Sequence, residues 1–76
     1  MWYDYLFEVI DEDSDLCGDR FFVEIEFAEG ERAATHYDEA VSILCDELNI
    51  ACDEDHISYI GFYTSDEAEE LGYDTF

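Results

Sequence analysis

Residues 20–29, Arg20-Phe21-Phe22-Val23-Glu24-Ile25-Glu26-Phe27-Ala28-Glu29, alternate in side-chain character with a period of two. Phe21, Val23, Ile25 and Phe27 fall on one side, and Phe22, Glu24 and Glu26 on the other. β-Branched and aromatic residues in that pattern make a half-buried strand, which Gly30 ends. One hydrophobic face of this kind needs a covering layer, and the rest of the chain is read for what supplies it.

Upstream, residues 2–10 (WYDYLFEVI) repeat the period. Tyr3, Tyr5, Phe7 and Val9 share a face, and Asp4 and Glu8 share the other. Between the two runs lies DEDSDLCGD, residues 11–19, with five acidic side chains and Gly18. It reads as the long, mobile loop of a hairpin.

Downstream the period changes. Tyr37, Ala40, Val41, Leu44, Cys45 and Leu48 recur at helical spacing and form one apolar stripe. Thr35 is the expected N-cap, with Asp38 three residues on as in a capping box. Asn49 is the expected stop. Asp38, Glu39, Ser42, Asp46 and Glu47 lie off the stripe, and the last two acids sit where the helix dipole disfavours anions. After an acidic turn at 51–55, residues 56–64 (HISYIGFYT) form a third strand. It is apolar on both faces, which points to a central place in the sheet. Gly61 marks a bulge or a close backbone approach. Thr64 or Ser65 caps a short helix at about 66–71, closed by Gly72, and the tail YDTF brings Phe76 back towards the core. The expectation is a single α+β domain over residues 1–76, in the order β-β-α-β-α. It has a three-stranded, mainly antiparallel sheet with a helix packed on one face.

Composition sets the function classes. Two arginines, Arg20 and Arg32, stand against 23 Asp and Glu with no Lys, for a formal net charge of -21 in 76 residues. Mass scaling gives a folded surface of roughly 4,800 Å², or about one net charge per 230 Å². Repulsion at that density opposes folding, yet the chain is 49% hydrophobic and 17% aromatic, which excludes the disorder that acidity alone implies. No apolar run approaches the length of a membrane span, and MWYDYLFEVID lacks the basic segment and cleavage site of a signal peptide. Three cysteines (Cys17, Cys45, Cys52) without CxxC spacing argue against a disulfide framework, so a cytosolic protein with reduced thiols is expected.

Three specific chemistries fit poorly. Asp11, Asp13 and Asp15 match the first ligands of an EF-hand loop, but Leu16 replaces its turn glycine and Phe22 its bidentate Glu. Cys45, Cys52 and His56 are too few and too scattered for zinc, and Cys45 belongs to the apolar stripe. A Cys–His nucleophile needs positive surroundings that this chain does not provide. No catalytic residue, metal ligand or cofactor is therefore assigned, and the protein reads as a non-enzyme.

What is left is the carboxylate surface. Glu24 and Glu26 project from one strand face about 6.6 Å apart, and Asp4 and Glu8 are expected to continue the row on the neighbouring strand. Asp38, Glu39, Asp46 and Glu47 line a helix face, and Asp11, Asp13 and Asp15 add a loop cluster. These nine are the expected partner-binding residues, with Trp2, Phe22 or Tyr73 as aromatic anchors. Acids that only solvate the outside account for part of the set, but ordinary surfaces mix both signs. Adaptation to high salt is a second account, and the high Phe, Tyr and Ile content fits it less well.

In length, charge and aromatic content the whole chain resembles the small acidic inhibitors of phages and mobile elements, the anti-CRISPR and anti-restriction proteins, some of which mimic DNA. No subfamily motif accompanies the likeness, so no site residue carries over from it. It implies stoichiometric inhibition, with a basic nucleic-acid-binding protein or ribonucleoprotein complex as partner. Direct contact with nucleic acid or membrane is not implied, and the protein would be a monomer or a weak edge-strand dimer. The alternatives are an immunity or antitoxin protein that neutralises a basic nuclease, and a cation-binding protein.

Overall fold

The alternating stretch forms β2 (Arg20–Glu26), paired antiparallel with β1 (Trp2–Val9) in the computed structural model, which describes residues 1–76. The register places Tyr3 opposite Ile25, Tyr5 opposite Val23 and Phe7 opposite Phe21 on one face. The other face pairs Asp4 with Glu24, Leu6 with Phe22 and Glu8 with Arg20. Mutual backbone hydrogen bonds between Met1 and Phe27 extend the ladder by one step. The 11–19 loop closes through tight turns and the Gly18 N–H donating to the Val9 carbonyl. Its Leu16 packs against the core.

Helix α1 (Tyr37–Leu48) covers the first face, burying Ala40, Leu44 and Cys45 against Tyr5, Phe7, Val9, Val23 and Phe27. Asn49 ends it in the left-handed conformation at φ 55°, as expected. The N-cap differs from expectation. Thr35 belongs to a preceding 3-10 turn (Ala33–Thr35), where its hydroxyl accepts from the Arg32 N–H at 3.1 Å, and His36 occupies the cap position of α1. The capping hydroxyl was legible in the sequence, but two consecutive helical turns compete for it.

Strand β3 (Ile57–Thr64) pairs antiparallel with the free side of β1, and β4 (Asp74–Thr75) pairs parallel with β2. The sheet has four strands in the order β3-β1-β2-β4 and is mixed, where three mainly antiparallel strands were expected. Nor is β3 central: it is an edge strand, with Tyr59 and Ile60 exposed. A run that is apolar on both sides says nothing of whether both edges are paired. The register slips beside Gly61, so Ile60 bulges, and the ring of Tyr63 lies over the glycine.

Helix α2 (Ser65–Leu71) lies on the second face, where Ala68 packs on Leu6 and Phe22. Thr64 and Glu67 form its capping box, and Gly72 ends it at φ 76°. The two helices therefore occupy opposite faces, and Phe22, expected as an exposed anchor, is fully buried. The reason is topological. Strands β2, β3 and β4 run parallel to one another, so the segments holding α1 and α2 are both crossovers between parallel strands. The first travels from β2 across β1 to β3, and the second returns from β3 across β1 and β2 to β4. Keeping one hand while reversing the direction of travel moves the helix to the other face. No helix is long and apolar enough to cross a membrane.

Candidate functional site

The expected partner-binding residues are exposed apart from Asp11, which is half-buried, but they do not form one patch. Asp38, Glu39, Asp46 and Glu47 stand on the outer side of α1, in two pairs separated by about 12 Å of helix rise. Glu24 and Glu26 lie on the opposite face of the sheet, beside α2. The 11–19 loop closes the β1–β2 hairpin. There Asp11 accepts from the Asp13 N–H at 3.0 Å and lies 3.7 Å from His56 Nε2, while Asp13 and Asp15 face solvent. No three of the His, Cys, Asp and Glu side chains converge as a metal-holding group.

Local cations neutralise little of this charge. Arg20 Nε donates to Glu8 Oε1 at 2.9 Å across the hairpin, and that bond does most to raise the arginine's pKa. Glu8 is thus removed from the acidic row it was expected to continue. His36 stands between Glu31, 2.9 Å from Nε2, and Glu39, 3.1 Å from Nδ1, with its ring edge-on to Phe27. Contact with Glu31 first, opposed by burial and then aided by Glu39, raises the His36 pKa above its ordinary value. His56 bonds Asp53 through Nδ1, and that bond is the main cause of its raised pKa. The accessible surface is 4965 Å², so the 21 net charges amount to one per about 236 Å².

One group was placed wrongly by the sequence. Asp4 was expected to extend the exposed row with Glu24, yet it is only 2% exposed. It lies at the floor of a groove between β2, α2 and the segment entering β4, lined also by Glu24, Ser65, Ala68, Glu69 and Tyr73. Burial first, then the charge of Glu24, raises its pKa, while a hydrogen bond from Ser65 lowers it. The groove follows from the assembled topology: a helix returning across the sheet on the other face covers some of the alternate positions of β1 and β2. Of the other two expected anchors, Tyr73 lines this groove and Trp2 is half-exposed on the same face of β1.

No protein-family model, no curated protein and no solved structure matches the chain.

Proposed function

We propose that the protein is a stoichiometric inhibitor whose acidic body occupies the basic nucleic-acid-binding channel of a CRISPR effector complex or another host-defence nuclease, in the cytosol of the host cell. One quantity carries this reading. Twenty-one net negative charges along a long axis of 39 Å amount to one per about 1.9 Å of length. Duplex DNA carries one per about 1.7 Å. The other two extents, 24 and 17 Å, make the body a short rod, and acids on both layers and at the hairpin end give it charge all round. A channel lined with Arg and Lys to surround a phosphate backbone meets a comparable field on every side of this rod, and Arg grips carboxylates as it grips phosphates. The division of the acids among three surfaces, unhelpful for a flat interface, suits a channel that encloses its ligand. Association steered by such a field is fast and falls with ionic strength.

The test is affinity capture from nuclease-treated host lysate at about 0.15 M salt, with a parallel sample at high salt, where the Debye length shrinks to about 3 Å. Recovery of one nucleic-acid-binding complex, lost at high salt and displaced by its own DNA or guide RNA, supports the inhibitor. Recovery of a single toxic nuclease made by the same genome moves the reading to an immunity protein. Recovery of nothing from lysates that contain defence systems sinks both.

A further inference from the structure

We propose that the groove between β2, α2 and the start of β4 is a socket for one arginine side chain of the partner, with the Asp4 carboxylate at its floor. The inference rests on the reading above and names where a basic partner inserts.

Asp4 is a buried acid with one side-chain hydrogen-bond partner, and that partner is shared. A buried carboxylate is costly unless paired with a cation or several donors. The donor that reaches it is the Ser65 hydroxyl, 3.3 Å from Oδ1. That hydroxyl also lies 3.2 Å from the Trp2 carbonyl, and a single O–H cannot serve both acceptors. Glu24, directly opposite in the hairpin register, adds like charge. The chain has no cation to spare: Arg20 is held by Glu8, Arg32 precedes the 3-10 turn that packs under α1 on the other face, and the terminal amine donates to Phe27. In the free protein one hydroxyl therefore serves Asp4 only in part, while burial and the charge of Glu24 raise the pKa of the carboxyl.

The groove completes what Asp4 lacks. Glu24 and Glu69 supply anions at its rim, Tyr73 a ring along its side, and Ala68 an apolar wall. Tyr63, opposite Asp4 on β3, is the remaining titratable group facing it from the sheet. A planar guanidinium is the cation that such walls fit, because it can bond a carboxylate through two N–H groups while stacking on an aromatic face. Calcium needs about six to eight oxygen ligands, which do not converge here. On docking, the guanidinium supplies the donors that the shared Ser65 hydroxyl cannot, and its charge favours the ionised carboxylate. Arginine binding in this groove therefore lowers the pH at which Asp4 titrates.

The experiment is a carbon-detected NMR titration of the side-chain carboxyls of the full chain, with and without saturating Nα-acetyl-arginine amide. The expected result is a fall of about one pH unit or more in the Asp4 midpoint, as an opposite charge in contact produces, with a smaller fall for the lysine analogue. Asp4→Asn removes the charge at nearly constant size and keeps an oxygen to accept from Ser65, so the variant folds and binds the arginine amide about tenfold more weakly. An Asp4 midpoint that moves no more than those of Asp13 and Asp15 overturns the proposal, and the wild-type measurement needs no variant to fold. Undiminished binding by Asp4→Asn overturns it as well. If Asp4→Asn still captures a basic complex from lysate as tightly as wild type, the socket falls and the inhibitor reading stands. Arginine binding at Asp4 with no complex captured has the reverse meaning.

Discussion

Phe76 stacks on Phe21, with ring centroids 5.5 Å apart and planes 21° from parallel. This contact fastens the end of the chain to the centre of the sheet. The Phe76 N–H donates to the Phe22 carbonyl at 2.8 Å and the Glu24 N–H to the Phe76 carbonyl at 3.0 Å, so the ring and the backbone hold the same edge of β2. Without that clasp, α2 is held by β3, by Ala68 on Leu6 and Phe22, and by the Ser65 hydroxyl.

Phe76→Ala should therefore destabilise the protein by about 1–2 kcal/mol, less than a fully buried Phe because the ring is half-exposed. Urea unfolding measures the loss. Hydrogen exchange should locate it, with amides of α2 and β4 deprotected and those of β1 unchanged. Uniform loss of protection would mean that β4 does not open separately from the rest of the fold.

Stability should be greatest in mild acid. Contacts with Glu31 and Asp53 raise the pKa values of His36 and His56 above 6.5, so their contribution is complete below 6.5 and is lost as pH climbs through the raised values. Asp4 acts in the same direction, because burial and Glu24 raise its pKa above 3.8 and its ionisation is penalised as pH rises. Glu31 acts oppositely: hydrogen bonds from the Ala28 N–H and then from His36 lower its pKa below 4.5, so its contribution is lost only as pH falls through the lowered value. The urea midpoint plotted against pH should peak between about 4.5 and 6.5. Replacing both His36 and His56 by Gln should flatten the alkaline side of that curve. An unchanged slope would mean that general repulsion, not these two clusters, sets it.

Neutralising one of Glu24, Glu26, Asp38, Asp46 or Glu47 by amide substitution should weaken capture of the partner by fivefold at most, since an exposed ion pair is worth about 0.2–1 kcal/mol. Removing the four acids of α1 together should cost far more and reduce the dependence of affinity on salt. Binding measured at several salt concentrations separates the two behaviours. A single exposed acid whose loss abolished binding would show a point contact instead of a distributed field.

The thiols should divide two to one. Cys45 is buried under α1, its Sγ lies 3.6 Å from the Ala51 carbonyl, and burial with the neighbouring Cys52 pushes its pKa up to about 12. Cys17 and Cys52 are exposed. An aromatic disulfide reagent at neutral pH should titrate two thiols promptly and the third only on unfolding. Prompt reaction of all three would mean that the C-terminal half of α1 opens readily.

Much of this architecture was legible in the order of residues because it depends on local periodicity. The period-two runs gave β1 and β2 and their apolar face, the i, i+3, i+4 spacing gave the buried stripe of α1, and Thr64 with Gly72 bounded α2. The charge, and with it the expectation of a basic partner, came from composition. Local periodicity could not say which edge of the sheet each strand would take, so β3 was expected at the centre and β4 was not expected at all. Nor could it say that α2 would return over the second face. That depends on the hand of a crossover, which is a property of the assembled sheet. This return buries Phe22 and turns Asp4 from one member of an exposed row into the floor of a groove. The sequence by itself determined how much charge the protein carries and which faces its elements bury. Only the tertiary structure decided where those charges meet, because residues as far apart as Asp4 and Ser65 become neighbours only when the chain crosses back over the sheet.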